Sequence, residues 1–106
     1  MANALINLPK RAKKGETVEI KVLISHPMES GQRRDAMGKA IPRDIIHTFV
    51  CAWNGEEVMR AEFHPAIAAN PFLSFFAVAE ASGTVTMTWT DDQGATHSQS
   101  AEIVVE

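Results

Sequence analysis

The stretch Ile45–Phe63, IIHTFVCAWNGEEVMRAEF, decides the fold, because two apolar runs flank Asn54-Gly55. Asn-Gly between such runs is the strongest short-range signal of a β-hairpin, since both central positions of a type I′ turn need a positive φ. Both faces of the first run, Ile45–Trp53, are largely apolar, which is typical of a central strand covered on both sides. One face carries Ile45, His47, Phe49, Cys51 and Trp53. The other face carries Ile46, Thr48, Val50 and Ala52.

Five more segments outside this hairpin have the pattern of strands. They are Ala4–Leu8, Thr17–Ser25, Phe72–Ala79, Thr84–Thr90 and Ala95–Val105, and the return strand of the hairpin is Glu57–Phe63. Thr17–Ser25 alternates apolar and polar residues, with Leu23 as the exception. Seven strands with Gly and Asn turns predict a single all-β domain over residues 1–106, an immunoglobulin-like antiparallel β-sandwich.

The longest connection, His26–Asp44, reads HPMESGQRRDAMGKAIPRD and holds four of the ten basic residues. Loops longer than about 12–15 residues are uncommon in compact domains and are usually functional or disordered. Turn signals at Glu29–Gly31 and Met37-Gly38 would allow a short hairpin inside it. We therefore expect this loop to contact another molecule.

Composition narrows the class of protein. The single Cys51 excludes an internal disulfide, and no apolar run approaches the ~20 residues of a membrane span. No signal peptide is recognisable, so the chain is expected either in the cytoplasm or exported on the signal of another protein. Lys10–Lys14 is a basic turn, but the pI near 5.8 and the lack of interleaved aromatics argue against nucleic-acid binding.

The charge is uneven along the sequence. Residues 1–43 carry a net charge of +5 and residues 44–106 a net charge of −8. Besides conferring solubility, this asymmetry suits an electrostatically complementary partner.

The residues capable of chemistry do not form a recognisable active site. Cys51 is expected to be a small buried hydrophobe, and His47 lies about 13 Å from it along the strand. His26 and His64 each precede a proline, which is typical of loops, and Asp91-Asp92 is predicted as a solvated turn tip or a weak cation site. The residues alone thus describe a binding module that is not an enzyme and has no catalytic, cofactor or metal site.

Two alternatives stay open at this point. One is a small metal- or ligand-binding domain that uses His26, His64 and Asp91 or Asp92. The other is a self-associating adhesion-type module.

Several strings together resemble the SoxZ family, the smaller subunit of the SoxYZ sulfur-carrier complex of bacterial thiosulfate oxidation. They are HPMESG at 26–31, RRD at 33–35, IPRDII at 41–46, NGEEV at 54–58, ANPFLSFF at 69–76 and TMTWTDDQG at 86–94. The resemblance implies a non-catalytic subunit that pairs with SoxY, whose C-terminal cysteine carries the sulfur intermediates. It also implies transient contacts with Sox enzymes and a periplasmic location, reached by export with a signal-bearing partner.

Under this resemblance, a sheet face or edge is expected to bind the carrier subunit through apolar side chains. The long loop would supply charged contacts, because guanidinium groups bind carboxylates as bidentate forks, and the loop before Phe72 is a further candidate. The predicted partner-binding residues are His26, Pro27, Met28, Glu29, Arg33, Arg34, Asp35, Arg43, Asp44, Asn70, Pro71 and Phe72.

Overall fold

The computed structural model describes residues 4–65, 67 and 69–106, which form eight β-strands. They are β1 (Ala4–Asn7), β2 (Arg11–Ala12), β3 (Thr17–Ile24), β4 (Ile46–Trp53), β5 (Glu56–Glu62), β6 (Phe72–Val78), β7 (Gly83–Asp91) and β8 (Thr96–Val105). Every strand predicted from the sequence is confirmed, and β2 is the addition.

The strands form two sheets that enclose one core. One sheet has the order β1-β3-β6 and the other the order β2-β8-β7-β4-β5. Phe49 of the larger sheet meets Phe75 of the smaller one edge to face, with ring centroids 6.4 Å apart. The all-β sandwich that the sequence predicts is therefore confirmed.

Period-two alternation in β3 sets the inner face of the smaller sheet. Val18, Ile20, Val22 and Ile24 are buried, while the residues between them are exposed. On the outer face, Lys21 and Glu19 lie side by side at 3.8 Å, as the alternation predicts. The residue that breaks the pattern, Leu23, is indeed exposed.

The Asn54-Gly55 hairpin is confirmed by its backbone angles, since both residues have positive φ, at 52° and 84°. The Asn54 side chain adds a tie to the start of β7. Its Oδ1 accepts from the Thr84 N–H at 2.9 Å, and its Nδ2 donates to the Ser82 carbonyl at 3.0 Å. The turn is thus joined to the neighbouring strand by side-chain as well as backbone bonds.

A β-bulge at the start of β4 changes which face two residues occupy. Ile46 pairs with Asp91 and Thr48 with Thr90, so His47 is the extra residue. Ile45 and Ile46 are consequently both enclosed, and the prediction that Ile46 lies on the opposite face is wrong. The prediction that β4 is covered on both faces is also wrong. Thr48, Val50 and Ala52 on its outer face are half-buried, and the described ranges form two sheets without a third layer.

The segment Lys10–Lys14, predicted as a basic turn, contains the short strand β2. Arg11–Ala12 pairs in parallel with Val104–Val105, and Ala12 is buried in the core. The turn follows at Gly15, where φ is 87°. The sandwich is therefore antiparallel except at this pair.

None of the described residues is helical, so these ranges contain no helix with the length and hydropathy to cross a bilayer.

Candidate partner-binding end of the sandwich

The long loop between β3 and β4 folds as a small hairpin. Arg34 pairs with Ala40, and the Ile41 N–H donates to the Arg33 carbonyl at 2.8 Å. The turn at its tip is held by Asp35, whose Oδ1 accepts from the N–H groups of Met37 and Lys39 at 2.9 and 3.0 Å. We call residues 33–41 the projecting hairpin, because residues 32–40 are all exposed.

The base of this loop is closed by backbone bonds. Glu29 and Asp44 exchange two N–H to carbonyl bonds of 2.8 Å each. Arg33 forms an ion pair with Glu29, and Arg43 forms a two-pronged pair with Asp92 at 2.7 and 2.9 Å. The hydrogen bonds from these guanidinium groups lower the pKa of Glu29 and of Asp92 below their usual range.

The loop before β6 meets the long loop at the same end. The Asn70 N–H donates to the His26 carbonyl at 2.7 Å, and the His26 N–H donates to Asn70 Oδ1 at 3.0 Å. Asn70 has a positive φ of 53°, which asparagine tolerates better than most residues. Ala66 and Ala68, within the predicted proline-bracketed loop 64–71, lie outside the described residues.

The twelve predicted residues thus gather at one end of the sandwich, but they differ in accessibility. Three are buried and support the surface without being available to a partner: His26, Met28 and Pro71. Two are half-buried, Glu29 and Asp44. The others are exposed: Pro27, Arg33, Arg34, Asp35, Arg43, Asn70 and Phe72.

The outer face of the smaller sheet carries an apolar surface that pattern reading missed. Leu5, Leu23 and Phe72 lie directly opposite one another across β1, β3 and β6, with exposed fractions of 73, 38 and 58 %. Phe76 and Val78 are exposed on the same face farther along β6, an edge strand, beyond Ser74, which donates to Glu19 at 2.7 Å. We call these five residues the apolar row, and the misplaced Leu23 was its only signal in the alternation of β3.

The apolar row is continuous with the loop end. A groove of about 280 Å³ lies between them, lined by Leu5, Leu23 and Asn70 among others. The end of the apolar row at Leu5 and Leu23 therefore adjoins the loop end of the sandwich at Asn70.

A cluster of titratable groups lies beneath the loop. A ring nitrogen of His26 and carboxylate oxygens of Asp44 and Asp91 lie within 4.8 Å of one another. The prediction that Asp91 and Asp92 form a solvated tip is wrong, because Asp91 is buried and Asp92 is paired with Arg43. His64, predicted as a partner of His26 in the alternative metal site, is exposed and is not a member of the cluster.

The only thiol is inert. Cys51 lies on β4 with no exposed surface, and burial raises its pKa to about 11. It cannot act as a nucleophile without unfolding of the sheet, because the thiolate is the reactive form.

The family profile described as "Sulphur oxidation protein SoxZ" matches residues 6–102 of the chain. The chain belongs to the SoxZ family. The resemblance noted in the sequence is therefore confirmed, and with it a role in sulfur oxidation through the Sox system. A comparison with curated protein sequences found no match to this chain.

Solved structures with the same fold include a superoxide reductase (neelaredoxin) from Ignicoccus hospitalis. It is 19 % identical, with a TM-score of 0.73, and the match covers 97 % of this SoxZ-family chain and 80 % of that one. The sulfur carrier protein SoxY from Chlorobium limicola f thiosulfatophilum matches at 15 % identity and a TM-score of 0.68, over 97 % and 78 % of the two chains. At such identities the likeness is one of fold.

Proposed function

We propose that this chain is the non-catalytic subunit of a sulfur-carrier complex. It binds a SoxY-like subunit, whose cysteine carries the sulfur intermediates, and helps to present that subunit to Sox enzymes. Membership of the SoxZ family supports the pairing, and the buried Cys51 supports the absence of covalent sulfur chemistry on this chain.

The observation that carries the proposal is the apolar row. Large apolar side chains exposed together on one face of a domain indicate an interaction site, and the buried centres of interfaces are rich in aromatic side chains. Phe72 and Phe76 supply such side chains, both more than half exposed. We therefore assign the SoxY-like subunit to the outer face and β6 edge of the smaller sheet.

The β6 edge offers a second means of binding. It is the last strand of its sheet, so one side of its backbone has no strand partner in the described part of the chain. Unpaired edges pair readily with strands of other chains, and side chains on alternate positions then set the specificity.

The projecting hairpin makes the transient contacts with Sox enzymes. Its exposed Arg33, Arg34 and Lys39 suit acidic surfaces on the enzymes that act on the carrier. Contacts of this kind govern association rate and partner choice more than affinity. We propose that the complex acts in the periplasm, which it reaches by export with a signal-bearing partner.

The test is binding of the purified chain to a SoxY-like subunit. We expect Phe72→Ser and Phe76→Ser to weaken the complex at least ~10-fold each, because aromatic residues at an interface centre dominate its affinity. Val58→Ser is the matched control, since Val58 is 42 % exposed but lies on β5 of the other sheet.

Wild-type affinity in both phenylalanine variants would move the interface elsewhere. A complex that fails to form at all with the wild-type chain would refute the proposed function. Size exclusion of the isolated chain at rising concentration addresses the adhesion-type alternative, which requires a stable homo-oligomer.

A further inference from the structure

The cluster beneath the loop, His26, Asp44 and Asp91, is joined by His97 from a fourth part of the chain. His26 follows β3, Asp44 precedes β4, Asp91 ends β7 and His97 lies early in β8. All four line one cavity of about 370 Å³. His97 Nε2 lies 3.9 Å from Asp91 Oδ2, which is too far for a hydrogen bond.

Each carboxylate uses one oxygen for structure and leaves the other free. Asp91 Oδ1 accepts from the N–H groups of Gln93 and Ala95, both at 3.0 Å. Asp44 Oδ2 accepts from Gln93 Nε2 at 3.1 Å. Asp44 Oδ1 is buried, and no described residue bonds to it. The second oxygen of Asp91 likewise has no hydrogen bond within the described ranges.

His26 is a buried polar side chain whose Nε2 has no hydrogen-bond partner among the described residues. Only 7 % of it is exposed, and its Nδ1 accepts from the Met28 N–H at 2.9 Å. A neutral ring that accepts at Nδ1 carries its proton at Nε2. Among the described residues none accepts that proton, so His26 offers the cavity an unused donor.

A site built in this way needs positive charge. Two carboxylates with oxygens within 4.8 Å of each other repel, and the buried Asp44 Oδ1 has no partner among the described residues, which is costly for a charged oxygen. Oxygen and imidazole nitrogen ligands together suit borderline divalent ions such as Zn²⁺ and Mn²⁺. Two ligands of one tetrahedral ion, each about 2.0–2.2 Å from it, lie about 3.4 Å apart. The Asp44 and Asp91 oxygens, within 4.8 Å of each other, and Asp91 Oδ2 and His97 Nε2, 3.9 Å apart, would therefore move closer together when the ion binds.

We propose that this cavity binds one divalent transition-metal ion. Asp44 Oδ1, Asp91 Oδ2 and His97 Nε2 are the ligands. His26 donates its Nε2 proton to a water on the ion, because its Nδ1 bond to Met28 leaves it no lone pair. The ion ties both ends of the long loop to the turn between β7 and β8, and so holds the projecting hairpin in position.

The test uses the purified full chain, first stripped with a chelator. We expect Zn²⁺ or Mn²⁺ to bind at one ion per chain by calorimetry and to raise the melting temperature, because a ligand that binds only the folded state stabilises it. Asp44→Asn and His97→Ala should each weaken binding at least ~10-fold. His64→Ala is the control, since that histidine is exposed and outside the cluster.

The metal-free protein supplies an independent readout. Asp44→Asn removes one of two neighbouring charges but keeps the shape of the side chain. It should therefore melt no lower than wild type in chelator, yet gain nothing when the ion is added. This pattern distinguishes a lost ligand from a damaged fold.

Three results would overturn the proposal. They are no binding of either ion to wild type, unchanged binding in both site variants, and an equal loss in His64→Ala. None of these bears on SoxY binding through the apolar row, so the two proposals stand or fall separately.

Discussion

Cys51 shows how a single position separates this chain from a sulfur carrier. It lies between Val50 and Ala52 on a strand that is paired on both sides, and its pKa near 11 follows from desolvation alone. A carrier thiol must be exposed and ionisable, as reactive cysteines in general are. The residue therefore contributes to packing and not to the chemistry of sulfur.

We expect Cys51 in the folded protein to resist alkylation by iodoacetamide at pH 8. With a pKa of about 11, about one thiol in a thousand is ionised at that pH, and the folded sheet excludes the reagent. Mass spectrometry over an hour checks this, with protein unfolded in urea as the control. Labelling of the native protein at the rate of a free thiol would contradict it.

Gly83 is a position at which even an added Cβ atom would collide with a neighbouring side chain. Its φ is 154°, and an added Cβ would lie 1.8 Å from Asn54 Oδ1. Any side chain there must displace the Asn54 amide, which ties the hairpin turn to β7.

We expect Gly83→Ala and Asn54→Ala each to lower the free energy of unfolding by about 1–3 kcal/mol, the range for leaving polar partners unsatisfied. The double variant should lose clearly less than the sum, because both changes break the same bonds. Urea unfolding of the four proteins measures this. Additive losses would show that the two residues act independently.

The projecting hairpin lies outside the two sheets, and residues 32–40 are all exposed. Its tip is fixed by Asp35 and by Gly38, which has a φ of 80°. Arg34 Nη1 also donates to the Gly38 carbonyl at 2.8 Å. An ordered hairpin presents its charges with little loss of conformational entropy on binding.

We expect charge reversal at Arg33 and Arg34 together to weaken a carrier or enzyme partnership and to leave the thermal melt close to that of wild type. Exposed ion pairs contribute little to stability, whereas charges at an interface rim control association. Pull-down from extract of cells oxidising thiosulfate is the measurement. Lys13→Glu with Lys14→Glu, also exposed but near β2, is the control. Unaltered recovery of partners would exclude the hairpin from their binding.

Across the whole molecule, the two oppositely charged halves of the sequence interleave. Arg43 pairs with Asp92, and Arg11 on β2 pairs with Glu106 after β8. The fold therefore neutralises part of the asymmetry internally. The basic residues of the first half that form no ion pair among the described residues lie in two places, Lys10, Lys13 and Lys14 near β2, and Arg34 and Lys39 on the projecting hairpin.

These pairs make stability depend on acid pH in a defined direction. The pKa of Asp92 is lowered from 3.8 by hydrogen bonds from Arg43, so its contribution is complete above that value and is lost as pH falls through the folded-state pKa. We expect the stability difference between wild type and Arg43→Gln to be constant above about pH 5 and to shrink below it. Urea unfolding from pH 3 to 7 checks this. A difference that widens with acid would contradict it.

The sequence was sufficient for the strands, because alternation and the Asn-Gly turn are local signals. It was insufficient for β2, whose parallel pairing with β8 joins segments about ninety residues apart and leaves no local pattern. The burial of Asp91 was missed for a similar reason, since Asp44 and His26 reach it only in the folded chain. Of the apolar row, the sequence singled out only Leu23, which breaks the alternation of β3, and Phe72, because the face they occupy is defined by three separate strands.

The unpaired β6 edge, with its two exposed phenylalanines, also bears on how the cell handles this polypeptide. In the cell, a copy without the proposed SoxY-like subunit leaves this edge open to other chains and to proteases. We expect the abundance of this chain to follow that of its companion closely, with any surplus cleared. The exposed edge of β6 would therefore require that this chain and the proposed SoxY-like subunit are made in similar amounts.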